Sequence, residues 1–320
     1  MDVLERIGLA GLVPVVVIEN ADDAVPAARA LLEAGLDVME ITMRTDAGIQ
    51  AIKNVRSGAP EMLVGAGTVL TLDKCKESVD AGAQFIVSPG FDAEIVRWCV
   101  DNEVAVTPGC VTPTEIQQAL AEGLKTMKFF PSDVYGGVKA MSALYGPFKS
   151  AGVRFIPTSG VNNDNLTEYA DKPFIWAVGG GWLCKTADIT NKNFAGITEA
   201  VRKAIDILLG FEVVHIGINL ETPEESLDVC HQFSKAFNFP IKEGNSSNFA
   251  GPSIEVLKSK YLGKMGHIAI KTNSINRAMH YLAKRGYEVD LDTAKYKGSV
   301  LTAVYLKDQF GGFAVHLMQK

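Results

Sequence analysis

A short apolar run followed by an amphipathic stretch recurs eight times within the first 210 residues, and few folds are open to a chain built that way. The runs fall at 13–18, 38–42, 63–67, 85–88, 105–107, 126–130, 154–158 and 175–179. They are rich in Val, Ile and Phe and bounded by Gly and Pro, as parallel strands covered on both faces should be. A local phrase precedes several of them: Glu33-Ala34-Gly35, Asp80-Ala81-Gly82 and Ala121-Glu122-Gly123. Each glycine is placed to end a helix before the chain turns into the next strand. Eight such units predict an α/β chain folded as a compact (β/α)8 barrel. A doubly wound open sheet is the alternative on the units alone.

The 320 residues, at about 150 per domain, predict a second domain. Residues 1–210 hold 18 basic and 26 acidic residues, whereas 211–320 hold 13 and 11, and all five histidines lie in the latter part. The apolar spacing of Ile197, Val201, Ala204, Ile205 and Leu208 predicts a helix stopped at Gly210, which sets the domains at 1–209 and 211–320. A hydrophobic share of 47% with 21% charged residues excludes an extended disordered chain. An uncharged run as long as any in the chain, 7–18, is shorter than the roughly 18 apolar residues of a membrane span, and no basic-then-apolar leader opens the sequence. The net charge of −6 argues against nucleic acid as a partner. Five cysteines without C-x-x-C spacing fit reduced thiols, so the expected location is the cytoplasm.

In such barrels the functional residues sit on strand ends and the loops beyond them. Thr126-Met127-Lys128-Phe129-Phe130-Pro131 places Thr126, Lys128 and Phe130 on one strand face. Burial disfavours a cationic lysine, and the neutral amine is the form that attacks a ketone to give a carbinolamine and then a Schiff base. A snorkelling or ion-paired structural lysine is the competing reading. Val38-Met39-Glu40-Ile41-Thr42-Met43-Arg44-Thr45 supplies a carboxylate for proton transfer at Glu40 and a planar cation for a substrate carboxylate at Arg44. Pro157-Thr158-Ser159-Gly160-Val161 and Gly179-Gly180-Gly181-Trp182 follow the last two strands, where barrels often bind phosphate on backbone amides.

These segments together resemble the 2-keto-3-deoxy-6-phosphogluconate (KDPG) and 4-hydroxy-2-oxoglutarate (KHG) aldolases over residues 1–209. Further matching segments are Val64-Gly65-Ala66-Gly67-Thr68-Val69, Gly82-Ala83-Gln84-Phe85-Ile86-Val87-Ser88-Pro89-Gly90 and Gly136-Gly137-Val138-Lys139. The resemblance implies a class I aldolase, a lyase needing no cofactor, with Lys128 as Schiff-base lysine and Glu40 as general base. It implies Arg44 and Thr68 as contacts of the pyruvate carboxylate, with Pro89 and Phe130 lining the pocket. Thr158, Ser159, Gly160, Gly180 and Gly181 would meet the distal end of a small keto-acid substrate, and the chain would form a homotrimer. Two positions depart from the pattern: Gly181 stands where relatives commonly carry serine, and Ser159 where they carry glycine. KDPG, its epimer and KHG all remain open as substrates.

Residues 211–320 read as two copies of a strand–helix–strands unit. One copy opens with Phe211-Glu212-Val213-Val214-His215-Ile216-Gly217-Ile218, has a helix at 223–237 and closes at Ser253-Ile254-Glu255-Val256-Leu257. The other opens with Gly266-His267-Ile268-Ala269-Ile270, has a helix at 274–285 and closes at Phe313-Ala314-Val315-His316-Leu317. The pattern resembles the vicinal-oxygen-chelate superfamily of glyoxalases and bleomycin-resistance proteins. That resemblance implies paired βαβββ modules pointing His215, Glu255, His267 and His316 into one cup. Such ligands suit a divalent Zn, Ni, Co or Fe ion. Glyoxalases place a carboxylate where His316 stands, so a second enzyme on a related keto acid, a sensor and an assembly module all stay open for this domain. For the whole chain, the alternatives are a barrel sugar-phosphate epimerase or isomerase and a non-catalytic keto-acid sensor.

Overall fold

The computed structural model describes residues 2–320. The chain divides between Leu208 and Leu209 into two compact units.

In the first unit eight short strands alternate with helices: β1 (Leu12–Val16), β2 (Val38–Thr42), β3 (Leu63–Gly67), β4 (Phe85–Val87), β5 (Ala105–Thr107), β6 (Thr126–Phe129), β7 (Arg154–Pro157) and β8 (Val178–Gly180). Every residue of β1, β2 and β3 is buried, which explains why these strands read as unbroken apolar runs. The order β5-β4-β3-β2-β1-β8 forms one parallel sheet, and β6 and β7 pair in parallel beside it. Parallel bridges link Gly109 to Lys128, Phe155 to Ile175 and Thr158 to Gly179. The unit is a TIM-like α/β fold.

The recurring glycine phrase ends helices as its chemistry requires. Gly35, Gly82 and Gly123 adopt φ of +94°, +105° and +81°. In each case the N–H of the next residue reaches back to the helix: Leu36 to Leu31 C=O, Ala83 to Ser78 and Leu124 to Ala119, at 2.9–3.0 Å. These 6→1 bonds satisfy carbonyls that the helix leaves unpaired and aim the chain at the next strand. Helix starts are capped too. The Thr112 and Glu115 side chains exchange hydrogen bonds with each other's backbone N–H. The last expected strand is shifted: Ile175 makes one bridge to Phe155, and the strand proper is Val178–Gly180, where pairing with β1 begins.

The second unit is an eight-stranded mixed sheet carrying two helices. β9 (Glu212–Ile218), a helix Pro223–Phe237, β10 (Ile241–Glu243), β11 (Ser247–Ala250) and β12 (Ile254–Leu257) form one half. β13 (Gly266–Thr272), a helix Ile275–Lys284, β14 (Val289–Lys297), β15 (Val300–Phe310) and β16 (Phe313–Gln319) form the other. The sheet order β10-β11-β12-β9-β13-β16-β15-β14 puts the first strand of each half at the centre, antiparallel to each other. Each first strand pairs in parallel with the last strand of its own half. Among the described residues no helix is long and apolar enough to cross a membrane.

Candidate active site

Strand alternation sends Lys128 and Glu40 to the same interior. In β6 all four residues are buried, with Phe129 edge-on to Phe155 at 5.9 Å, while Lys128 points the other way. Lys128 Nζ lies 3.6 Å from Glu40 Oε1, the two side chains being 6% and 4% exposed. That separation is an ion-pair contact longer than a hydrogen bond, and Glu40 Oε1 has no hydrogen-bond partner. Both residues line a narrow inner cavity with Thr107 and Thr158. Gly67 of β3 makes room for the carboxylate: a Cβ there would overlap Glu40.

An outer pocket of about 480 Å³ adjoins this cavity, sharing Thr158 as a wall. Arg44, Phe130, Thr158, Ser159, Gly160, Gly180 and Gly181 all line it. The Arg44 Nε–H donates to Thr68 Oγ1 at 3.2 Å, so Thr68 meets the site through Arg44. Thr68 and Ser159 hold φ of +57° and +80°, left-handed values that residues with a Cβ adopt rarely and that cluster at functional sites. Pro89 lines neither cavity. β4 ends at Val87, and the Pro89 carbonyl packs into the space that Gly109 leaves without a side chain. Sequence reasoning did not find Thr107, Trp182 or Asp133. Trp182 Nε1–H donates to Asn163 Oδ1, and Ser159 Oγ–H donates to Asp133 Oδ1, both at 3.0 Å.

A lysine kept beside a carboxylate inside a parallel α/β unit, with a pocket adjoining the cavity they line, is an arrangement that suits an imine-forming lyase. The sequence model of the KDPG and KHG aldolase family matches residues 3–200, and the chain belongs to that family. The chain is 40% identical over 207 residues to the 2-dehydro-3-deoxy-phosphogluconate aldolase of Treponema pallidum, covering 65% of this chain and 96% of that protein. It is 37% identical over 195 residues to the KHG/KDPG aldolase of Escherichia coli K12, covering 61% and 91%. Among solved structures it is similar to KDPG aldolase from Legionella pneumophila with pyruvate captured as a covalent carbinolamine. There the identity is 34% and the TM-score 0.61, over 64% of this chain and 98% of that one.

In the second unit the sheet register assembles another cluster. Across β12, β9 and β13, Glu255 stands opposite Gly217, and Gly217 opposite His267. One step along, His215, Ala269, His316 and Tyr305 stand in a row across β9, β13, β16 and β15. A Cβ on Gly217 would overlap the His267 ring, and the small Ala269 leaves His215 and His316 facing each other over it. His215 Nε2 and His267 Nε2 are 3.1 Å apart, and they lie 3.0 and 3.1 Å from Glu255 Oε2. Ser247 Oγ–H donates to the other carboxylate oxygen at 2.6 Å. Burial pushes the Glu255 carboxyl up, but hydrogen bonds from His215, His267 and Ser247 outweigh it and hold the group well below the usual carboxylate range. Burial, then the neighbouring imidazoles, pull His316 down to about 3, so its ring stays neutral. Both His316 ring nitrogens are buried without a hydrogen-bond partner, and Tyr305 stacks on the ring at 4.7 Å. The stacking tyrosine escaped sequence reasoning because only the β15–β16 register places it there.

Proposed function

We propose that the first unit, a (β/α)8 barrel, is a class I aldolase cleaving KDPG to pyruvate and glyceraldehyde 3-phosphate, 4-hydroxy-2-oxoglutarate to pyruvate and glyoxylate, or both. Lys128 passes its proton to Glu40, the freed amine attacks the C2 ketone, and the carbinolamine loses water to give an imine as Glu40 returns the proton to the departing hydroxyl. Glu40 takes the proton of the C4 hydroxyl as the C3–C4 bond breaks and the aldehyde leaves. The bond electrons pass to the imine nitrogen as an enamine; C3 is then reprotonated, and water releases pyruvate. Arg44, with Thr68 bonded to it, holds the substrate carboxylate, and Phe130 covers the reacting carbons. Thr158, Ser159, Gly160, Gly180 and Gly181 take the tail. The observation that carries this reading is the buried 3.6 Å pairing of Lys128 with Glu40 in a chain of this family. Borohydride with pyruvate should add the trapped mass to the peptide holding Lys128, and Lys128→Ala should abolish it. Labelling at Lys125 or Lys139 instead would refute the assignment. In keeping with the resemblance, the working form is a cytoplasmic homotrimer acting on small keto acids, which sedimentation of the purified protein tests for assembly.

For the second unit the proposal is a vicinal-oxygen-chelate domain of two βαβββ modules holding a divalent metal on His215, Glu255, His267 and His316. Three of the donors fit directly: ligand atoms about 2.1 Å from one ion stand about 3.0–3.4 Å apart, and the His215 and His267 nitrogens and the Glu255 oxygen stand at 3.0–3.1 Å, with a His316 ring nitrogen within 4.8 Å of those of the other two histidines. The neutral, unpartnered His316 ring is the form a metal takes. A bound ion would offer positions to adjacent oxygens of a small acid. Elemental analysis after expression in supplemented medium tests the site, with His215→Ala as the comparison.

A further inference from the structure

The row of side chains beside the proposed metal donors ends in a lysine whose charge reaches those donors. His316 and Tyr305 stand opposite each other across β16 and β15. Two residues along β13, β16 and β15 lies a second row on the same face, made of Glu212, Lys271, Met318, Ala303 and Lys295. Lys271 is neutralised at one end of this row, its Nζ lying 3.2 Å from Glu212 Oε2. Lys295, exposed at the other end on β14, makes no ion pair among the described residues. The nearest acid of its strand, Asp290, is occupied elsewhere. Asp290 Oδ1 accepts the Asp292 N–H at 3.1 Å, and its charge adds to that of Glu288 in raising Lys307. The Lys295 charge acts inward instead. Burial and the His267 and His215 rings lower His316 most, and Lys295 works in the same direction. Ala303, between Lys295 and Met318, fills the floor there with only a methyl group.

Lys295 lies one row, about 6.8 Å, and two strands, about 9.6 Å, from His316. A four-carbon lysine stem and one small molecule together fill that span. Ligating imidazoles are neutral, so a divalent ion on three of them and Glu255 keeps one positive charge. Lys295 adds a second, set apart from the first. Such a cup suits a dianion with separated charges, one end chelating through adjacent oxygens and the other on the ammonium. We propose that the second unit takes a 2-oxo dicarboxylic acid, its 2-oxo acid end at the metal and its distal carboxylate on Lys295. Lys295 then distinguishes a diacid from a monoacid. The class includes 4-hydroxy-2-oxoglutarate, one of the substrates proposed for the first unit. This rests on the metal reading of the second unit and names the ligand class of that site.

The test uses the full chain loaded with Co2+, whose visible absorption responds to ligands at the metal and not to imine formation on Lys128. Titration with 2-oxoglutarate and with pyruvate gives two dissociation constants. The unmodified chain should bind 2-oxoglutarate at least tenfold more tightly than pyruvate. Lys295→Met should bring the two constants within threefold of each other by weakening 2-oxoglutarate, and Lys295→Arg should keep the preference. Both variants should match the unmodified chain in their Co2+ spectrum before titration. Equal constants in the unmodified chain, no spectral response to either acid, or a preference that survives Lys295→Met overturns the proposal while leaving the metal site intact. Should the chain show no Co2+ spectrum that His215→Ala removes, the metal reading falls and this proposal with it.

Discussion

Gly67 of β3, paired with Thr42 of β2, lies directly beneath the Glu40 carboxylate, so the position of the proposed base is set by a missing side chain on the neighbouring strand. Gly67→Ala should displace Glu40 without removing any reacting group. The expected result is a loss of kcat of about 100-fold or more, within the usual range for a misplaced general base. Pyruvate trapping on Lys128 should survive, and steady-state kinetics alongside trapping mass spectrometry measure both.

Lys128 and Glu40 also define a coupling energy. Breaking a buried ion pair from one side leaves a charge without its counterion, at a cost of about 3–5 kcal/mol. Lys128→Met and Glu40→Leu should each destabilise the first unit more than the double variant does. Chemical denaturation of the three variants closes the cycle, and additivity would show the pair to be uncoupled.

Much of this pair was legible beforehand. Period-two alternation assigned Lys128 and Glu40 to common faces, and β2, β3 and β5 begin and end where their apolar runs do. Glycines inside strands, Gly67 and Gly217, were the available signal of close approach by another side chain. The Ser159–Asp133 contact was not legible, because it joins two loops 26 residues apart that carry no periodicity. Tyr305 was hidden for a related reason: β15 and β16 pair with a register shift between Tyr305 and Gln309, and no residue count along the chain predicts it.

Metal should act on the second unit as a folding ligand. With free Zn2+ at 100 times its Kd, mass action stabilises that unit by about 2.7 kcal/mol. Calorimetry should show a rise in its Tm on adding Zn2+ and reversal by a chelator. Gly217→Ala, which crowds His267, should lose most of the rise.

The Thr112–Glu115 cap predicts a pH effect of defined sign. Burial raises the Glu115 carboxyl, but hydrogen bonds from the Val111 and Thr112 N–H groups and the Thr112 hydroxyl outweigh it and leave the group lowered. A carboxyl lowered in the folded state stabilises above its unfolded pKa and loses that contribution as pH falls through the folded value. Thr112→Ala should therefore cost about 1 kcal/mol at neutral pH and less in acid. Urea midpoints at pH 7 and pH 3 give the comparison.

Cys110 and Cys184 are both buried, and burial pushes each thiol up to about 12. Since the thiolate is the reactive form, alkylation at pH 8 should mark neither until the chain is unfolded. Peptide mapping before and after denaturant reads this directly.

The second unit draws its four clustered side chains in equal number from its halves, one imidazole and one carboxylate from the first and two imidazoles from the second. Neither half by itself supplies all four groups. Joining the copies in one polypeptide fixes the stoichiometry of that set for every molecule synthesised, independent of protein concentration.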